Sequence, residues 1–284
     1  MIKLACNYYP EVIELVQESK IQIDYVKYPA LGYHMSVFEN KDLTDYKEFV
    51  HNVRPICPIM LHGLGAAKHN IGSKTFREDL EVNLAREAIR ISDVNGVSIH
   101  LSGIDVSLTR EENKEILINN IIFLKNVFAD AEFVTLENIH GSKRHDFGDC
   151  MKPDFIAEVL NGADAGFLLD ISHAYATAKV IGMDFYEYLN RLPLHRVYEI
   201  HINGWIEQGE DLMAHTKIND IGYEALEYVL TKTKPSIVTL EYGRDTDRLQ
   251  CGIPLMSAGG NNNAAKEEIV EQIHILRGII KKSL

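Results

Sequence analysis

Short apolar runs alternate along the whole chain with longer segments in which apolar residues recur at helical spacing. The runs are rich in aliphatic and β-branched residues, which is typical of buried strands. They predict eight strands, near residues 2–7, 22–28, 56–62, 96–101, 133–137, 166–170, 197–202 and 236–241. Eight strands alternating with about eight helices within 284 residues predict an α/β fold, a (β/α)8 TIM barrel that forms one domain over residues 1–284.

The segments between the strands show the signals of helix starts. Pro10 occupies a first-turn position, and Thr109 with Glu112 forms a predicted capping box. The predicted helices cover residues 10–20, 75–92, 109–128, 151–162, 182–192, 222–233 and 264–282. Three loops, 141–149, 201–218 and 243–263, follow strands and are expected to lie over the same face of the barrel.

Six of the predicted strands end on a residue that can bind a metal ion. These residues are His62, His100, Glu137, Asp170, His201 and Glu241. In a parallel barrel the carboxyl ends of all strands meet at one face, where such barrels carry their active sites. A single histidine after a strand is ordinarily a packing residue, but six acidic or histidine side chains in corresponding positions predict a shared metal site.

Three further residues extend this set. His173 follows Asp170 by one helical turn, and Asp211 and His215 lie in the loop after the seventh strand. Nine ligands are enough for two or three metal ions with a bridging glutamate, and histidine with carboxylate suits iron, zinc or manganese. The candidate catalytic groups are the carboxylates Glu137, Asp170 and Glu241, although Asp170 also fits the ordinary role of a helix N-cap.

Other side chains near the strand ends are candidates for a substrate pocket. Lys27 ends the second strand and is expected to bind an anionic group or to form a surface salt bridge. Asn138 directly follows Glu137, and Asn203 lies two residues after His201. Trp205 is expected either to line the pocket or to pack in the core. His140, in the loop after Glu137, is expected to face solvent or substrate rather than a metal.

Composition narrows the classes of function. The formal net charge is −12, and without a block of Lys and Arg this argues against binding of nucleic acid. The four cysteines are scattered and form no C-x-x-C pair, as in a protein of the reducing cytoplasm. No signal peptide or long apolar stretch is visible, so we expect a cytoplasmic protein that does not span a membrane.

Several segments together resemble the xylose-isomerase-like barrel superfamily, which includes endonuclease IV. They are NYYPEVIELV, IDYVKYP, MLHGLG, LENI, LLDISHAY, EIHING and LEYG, and they cover most of the chain. Within that superfamily the chain is similar to the multinuclear non-haem iron-dependent oxidases, the DUF692-like family. The order and spacing of the segments carry this resemblance more than any one of them.

The resemblance implies how the ligands divide between metals. One metal would take His62, His100 and Glu137; a second would share Glu137 and take Asp170, His201 and Glu241; a third would take His173, His215 and a nearby aspartate. In this family the metals are iron, dioxygen is the oxidant, and cysteine residues of ribosomally made peptides are modified, often beside a partner protein that presents the peptide. The chain departs from the family where Asp211 stands four residues, not two, before His215.

The residues leave other reactions open. Clustered metals could instead activate water for a phosphodiesterase like endonuclease IV, with zinc or manganese as the ions. A sugar isomerase or epimerase acting on a small molecule would use Glu137 and Glu241 as acid and base. A non-enzymatic metal-binding protein would need a closed site.

Overall fold

The computed structural model describes residues 1–29, 42–63, 70–93, 96–209, 211–243 and 263–283. Its strands are β1 (Lys3–Asn7), β2 (Tyr25–Pro29), β3 (Ile59–His62), β4 (Gly96–His100), β5 (Phe133–Glu137), β6 (Gly166–Asp170), β7 (Val197–Ile202), β8 (Gly204–Gln208), β9 (Asp211–Thr216) and β10 (Ile237–Leu240). Eight of them form a closed barrel in the order β1-β10-β7-β6-β5-β4-β3-β2, and every neighbouring pair is parallel. The predicted barrel is confirmed.

Helices connect the strands around the outside of the barrel. They are α1 (Pro10–Gln17), α2 (Thr44–Val53), α3 (Phe76–Asp79), α4 (Val82–Ser92), α5 (Arg110–Val127), α6 (Pro153–Gly162), α7 (Ile171–Ile181), α8 (Phe185–Arg191), α9 (Asp220–Leu230) and α10 (Asn263–Lys282). The capping box is present at the start of α5, where Thr109 accepts a hydrogen bond from the Glu112 backbone N–H and the Glu112 side chain accepts from that of Thr109.

The predicted helices need three corrections, the first being that α7 (Ile171–Ile181) lies in none of the predicted ranges. The helix expected over 75–92 is two helices, because Leu80 adopts an extended backbone between α3 and α4. Helix α2 was not predicted, although its buried residues recur at helical spacing. These buried residues are Tyr46, Phe49, Val50 and Val53.

The loop predicted between His201 and Ile218 is instead largely a β-hairpin. Strands β8 and β9 pair antiparallel in a small sheet of their own, with Gly209 at φ 64° in the turn. The hairpin begins at Gly204, where an added Cβ would lie 1.8 Å from the carbonyl oxygen of Lys217. Only glycine fits this approach of two backbone segments. The predicted loop over 243–263 lies almost wholly outside the described residues.

The core carries both apolar and polar side chains. Most apolar residues of the strands and helices form one large cluster, as expected for a barrel surrounded by helices, and a second, small cluster consists of Ala5, Tyr25, Met60 and Ile237. Buried polar residues accompany them at the carboxyl ends of the strands, among them Glu137, Asp170 and His201, each 0% exposed. No helix in the described ranges is both long and apolar enough to cross a membrane.

Candidate metal centre

The barrel brings the six predicted strand-end residues to one rim. His62, His100, Glu137 and Asp170 are the last residues of β3, β4, β5 and β6; His201 is next to last in β7, and Glu241 directly follows β10. The register of the parallel strands places neighbours side by side, with His100 opposite Glu137 and Asp170 opposite His201.

Glu137 lies at the centre of the cluster and is fully buried. Its Oε2 atom is 3.2 Å from Nε2 of His62 and 3.4 Å from Nε2 of His100. Its Oε1 atom is 3.4 Å from Nδ1 of both His173 and His201. The two oxygens therefore face different sets of nitrogen atoms, as a carboxylate that bridges two metal ions must do.

Two groups of closely spaced potential ligand atoms contain this carboxylate. The first group, called group 1 here, is His62, His100 and Glu137; group 2 is Glu137, Asp170, His201 and Glu241. Within group 2, Glu241 Oε2 is 3.1 Å from His201 Nδ1, and Asp170 Oδ2 is 3.9 Å from the same nitrogen.

The residues of both groups fit metal ions. Two ligands about 2.1 Å from one ion and at tetrahedral or octahedral angles lie about 3.0–3.4 Å apart, and the closest separations here are in that range. Both oxygens of Glu137, Nδ1 of His201 and Oε2 of Glu241 are buried without a hydrogen-bond partner among the described residues. Unpaired buried polar atoms are costly, and cations at these two positions would satisfy all four.

Three histidine rings are oriented through their Nδ1 atoms. Nδ1 of His62 is 2.9 Å from Oγ of Ser98, that of His173 is 2.9 Å from the Asn138 carbonyl oxygen, and that of His215 is 3.2 Å from the Glu241 carbonyl oxygen. Carbonyl oxygens accept only, so His173 and His215 carry the proton on Nδ1 and leave Nε2 free for a ligand.

One oxygen of Asp170 fills the predicted N-cap role, and the other stays a candidate metal ligand. As the N-cap of α7, its Oδ1 accepts from the His173 backbone N–H and from the Ser172 hydroxyl at 2.7 and 2.8 Å. Its Oδ2 faces group 2 and accepts from Asn203 at 3.1 Å. Asn138 exchanges two hydrogen bonds with the Asp170 backbone. Both asparagines are 0% exposed and brace Asp170 from either side.

The hairpin delivers His215 to the cluster in a special backbone conformation. His215 has φ 63°, a left-handed value that is rare for residues other than glycine and often marks functional sites. Its backbone N–H donates to Asn203 Oδ1 at 3.0 Å. Asp211 begins β9 opposite Gln208, and its side chain lies outside the described residues. Among those described, no third residue joins His173 and His215 at the spacing of groups 1 and 2.

Three residues near the cluster were not predicted to take part. Ser98 lies opposite His62 in the β3–β4 register. His140 packs its ring edge-on against His173 with centroids 5.3 Å apart, and burial, aided by His173 and His215, lowers its pKa to about 3. Glu199, two residues before His201 and fully buried, faces into the barrel. The order of residues along a strand hints at Glu199, since alternate side chains share a face.

The pocket candidates Lys27 and Trp205 are both enclosed by protein. Lys27 is 2% exposed; its ammonium group donates to Glu199 Oε1 at 2.7 Å and lies 2.7 Å from His201 Nε2. Lys27 forms a salt bridge, but this salt bridge is buried in the barrel and not at the surface as expected. Trp205 is 5% exposed and packs against Tyr175 with ring centroids 4.7 Å apart.

The charge states of the cluster follow from burial and mutual contact. Burial lowers the pKa of His62 to about 3, so this imidazole is neutral. Burial alone would raise the pKa of Glu137 and Glu241, but the surrounding histidines hold both well below the usual range. Neutral imidazoles and ionised carboxylates are the forms that bind metal ions. Burial and Lys27 oppose a proton on His201, yet Glu241 and Glu137 raise its pKa well above the usual value, so a metal ion bound at Nδ1 would displace a proton from this ring.

Comparison with known proteins assigns the family. The model of the RiPP precursor modification enzymes MbnB/TglH/ChrH matches residues 8–251. The chain belongs to this MbnB/TglH/ChrH family. It is 36% identical over 103 residues to a UPF0276 protein of Anaeromyxobacter sp. (strain Fw109-5), a match that covers 36% of each chain. It is 29% identical over 169 residues to a UPF0276 protein of Acaryochloris marina (strain MBIC 11017), covering 56% of this chain and 59% of that one. These matches span less than two thirds of the relatives' own lengths.

Solved structures show which barrel this MbnB/TglH/ChrH member has. The IolI protein crystallised with a zinc atom superposes with a TM-score of 0.66 at 15% identity, covering 100% and 99% of the two chains. A xylose isomerase domain-containing protein of Salmonella typhimurium LT2 gives 0.67 at 12% identity, covering 97% of both. Endonuclease IV of Thermus thermophilus gives 0.56 at 16%, covering 99% of both. The fold is the xylose-isomerase-like TIM barrel, as predicted.

Proposed function

We propose that this protein is a multinuclear iron enzyme that uses dioxygen to oxidise a cysteine-containing peptide, such as a RiPP precursor. The observation that carries the proposal is the position of Glu137, whose two unpaired, buried oxygens each face a separate set of histidines. The family to which the chain belongs modifies RiPP precursors, which supports a peptide as substrate.

The proposed ligands follow the two groups. His62, His100 and Glu137 would hold one ion, and Glu137 would share a second with Asp170, His201 and Glu241. His173, His215 and Asp211 stay the proposed residues of a third. When bound, iron would supply the redox chemistry that activates dioxygen and a substrate thiolate.

Exposure indicates the side from which a substrate enters. The side chain of His100 is 44% exposed, whereas those of His62 and His201 are 9% and 0% exposed. A peptide can therefore reach the cluster beside His100. Of the three candidate catalytic carboxylates, Glu241 alone has an exposed fraction, 16% of its side chain, and Glu137 and Asp170 have none. Glu241 is therefore the candidate catalytic carboxylate that an entering substrate meets first.

Two parts of the proposal concern molecules outside this chain. The oxidases it resembles often act beside a partner that presents the peptide, and we propose such a partner here. A small thiol-containing molecule is the alternative substrate. Phosphodiester cleavage and sugar epimerisation rest only on the shared barrel, because 12–16% identity to solved structures shows the fold alone.

The test is metal content and dioxygen uptake of protein purified without oxygen, in the wild type, Glu137→Gln and Glu187→Gln. Glu187 is a matched control because its side chain is 59% exposed on α8. We expect two or three irons per chain in the wild type and the control and at least one fewer in Glu137→Gln, which loses the bridging charge. Dioxygen uptake should depend on a cysteine-containing peptide.

Three results would contradict the proposal. Iron-loaded protein that consumes no dioxygen with any thiol peptide would exclude the oxidase. Zinc or manganese together with cleavage of an abasic-site duplex, or with epimerisation of a sugar, would assign one of the alternatives. Unchanged metal content in Glu137→Gln would mean that Glu137 does not bridge.

A further inference from the structure

A buried ion pair inside the barrel contacts one of the candidate ligands. Lys27 of β2 and Glu199 of β7 are 2.7 Å apart, with side chains 3% and 0% exposed. The Lys27 ammonium also lies 2.7 Å from Nε2 of His201. Thr239 of β10 donates to Glu199 Oε1 at 2.5 Å. Three strands of the barrel thus meet at a polar network on the side of His201 that faces away from the metal groups.

Barrel stability alone does not account for this network. The interior layers of such barrels are commonly filled by branched aliphatic side chains. A buried ion pair loses two hydration shells, and replacing it with apolar side chains is often neutral or stabilising. Glu199 also keeps one oxygen, Oε2, buried without a hydrogen-bond partner among the described residues. A costly network placed directly against a ligand is better explained by an effect on that ligand.

The contacts fix the direction of the His201 ring. Nε2 is held between Lys27 at 2.7 Å and Glu199 Oε1 at 3.4 Å. Nδ1, on the other side of the ring, then faces Glu241 Oε2 at 3.1 Å and Glu137 Oε1 at 3.4 Å. Rotation of the ring by half a turn would break the contacts of both nitrogens, so the network selects the orientation in which Nδ1 points at group 2.

We propose that Lys27 and Glu199 are positioning residues that hold His201 with Nδ1 toward group 2, so that the second metal ion binds tightly. The inference rests on the proposed metal site and adds two residues to it. Group 1 lacks His201, the ligand that the Lys27 ammonium contacts, and shares only Glu137 with group 2, so its affinity for a metal ion should depend on the ion pair much less than that of group 2. A positioning role predicts a larger loss of affinity in group 2 than in group 1, whereas a purely structural role predicts no such difference.

The test is titration of the metal-free full-length protein with Co²⁺, whose visible absorption reports its ligands, in competition with a chelator. We compare the wild type with Lys27→Met, which removes the ammonium, and Glu199→Gln, which removes the charge and keeps the shape. Ile121→Val is the control, because Ile121 is buried in helix α5, away from the barrel interior, and belongs to neither group. Thermal unfolding of each variant measures the loss of stability separately.

We expect Lys27→Met to weaken one bound Co²⁺ by about tenfold or more, as is usual for residues that orient a ligand, and to change its spectrum. The affinity for the other Co²⁺ should fall much less. Glu199→Gln should retain part of the affinity for the first Co²⁺. Ile121→Val should lower stability and leave the binding of both ions unchanged.

Two results from Lys27→Met would overturn the inference. If both ions bind with wild-type affinity and spectrum, the Lys27–Glu199 pair serves only the packing of the barrel. If the affinities for both ions fall equally, the substitution disturbs the whole site and does not act through His201. Wild-type protein that binds no Co²⁺ would overturn the inference and the metal site together. Protein that binds metal normally and oxidises no thiol peptide would overturn only the proposed reaction.

Discussion

The hydroxyl of Ser98 illustrates how one small side chain can direct a candidate ligand. Ser98 is buried in β4, and its Oγ lies 2.9 Å from Nδ1 of His62. This contact turns Nε2 of His62 toward Glu137 Oε2, 3.2 Å away. Groups that hold the second nitrogen of a histidine ligand fix both its orientation and its tautomer.

Ser98→Ala should therefore weaken metal binding by group 1. We expect an affinity lower by about 10- to 100-fold, the usual effect of removing such a partner. The measurement is competition with a chelator for the ion that depends on His62. Ser92→Ala is the control, because Ser92 is also buried but donates to the Ala88 carbonyl oxygen within helix α4. Equal affinities in the two variants would show that Ser98 does not orient the ring.

The residues of the site differ in how far the sequence reveals them. The six strand-end residues were predictable, because each stands at the end of an apolar run and parallel strands share one rim. Ser98 was not, because its contact with His62 depends on the β3–β4 register. The partner of Lys27 was equally hidden, since Glu199 lies far from it in the sequence. A residue whose role is to orient another side chain gives no recognisable pattern in the sequence around it.

Among the elements, the β8–β9 hairpin has the strictest steric requirement. Gly204 packs so closely on Lys217 that an added Cβ would also lie 2.4 Å from its carbonyl carbon. Backbone cannot move aside as a flexible side chain can. The hairpin carries His215, so its fit against the segment after β9 also sets where that histidine lies.

We expect Gly204→Ala to destabilise the protein by about 1–3 kcal/mol, as overpacking usually does. Gly278→Ala provides the opposite control, because a Cβ there meets nothing within 4 Å in helix α10. It should stabilise by about 0.5–1 kcal/mol, since alanine favours the helix more than glycine does. Urea unfolding measures both. If Gly204→Ala leaves the free energy of unfolding unchanged, the hairpin can move aside to make room for the added Cβ.

The sequence predicted the barrel strands to within a few residues but missed the hairpin and α2, and it indicated α7 only through its N-cap, Asp170. The strands were clear because buried parallel strands are continuous apolar runs. The hairpin was predicted as a loop because its exposed residues, such as Glu207 and Gln208, interrupt any apolar pattern. Helix α2 was overlooked although its buried residues recur at helical spacing, as in Tyr46, Phe49 and Val53, because only four of its ten positions are apolar.

At the scale of the whole molecule, burial keeps several acidic groups neutral. Burial, aided by the charge of Asp149, raises the pKa of the Cys150 thiol to about 12. Burial likewise raises the pKa of the Tyr46 and Tyr188 hydroxyls. In the unfolded chain these groups would ionise near their ordinary values. A group whose pKa is raised by folding contributes stability below its unfolded pKa and loses it as the pH rises toward the folded pKa.

The free energy of unfolding should therefore fall as the pH rises from about 9 toward 12, by about 1.4 kcal/mol per pH unit for each such group. Cys150→Ala should reduce this slope by the contribution of one group. Urea unfolding at a series of pH values measures both proteins. An unchanged slope in Cys150→Ala would show that the thiol ionises equally in both states.

Groups 1 and 2 lie on barrel strands, whereas His215 arrives on a separate two-stranded sheet. A barrel strand is held between two neighbours, so its end cannot change without affecting both. The hairpin is paired within itself and can diverge with less effect on the barrel. During evolution, relatives could thus gain, lose or replace the hairpin histidine while inheriting the same pair of ligand groups. Differences in their chemistry would then arise first in the hairpin and only later in the barrel strands.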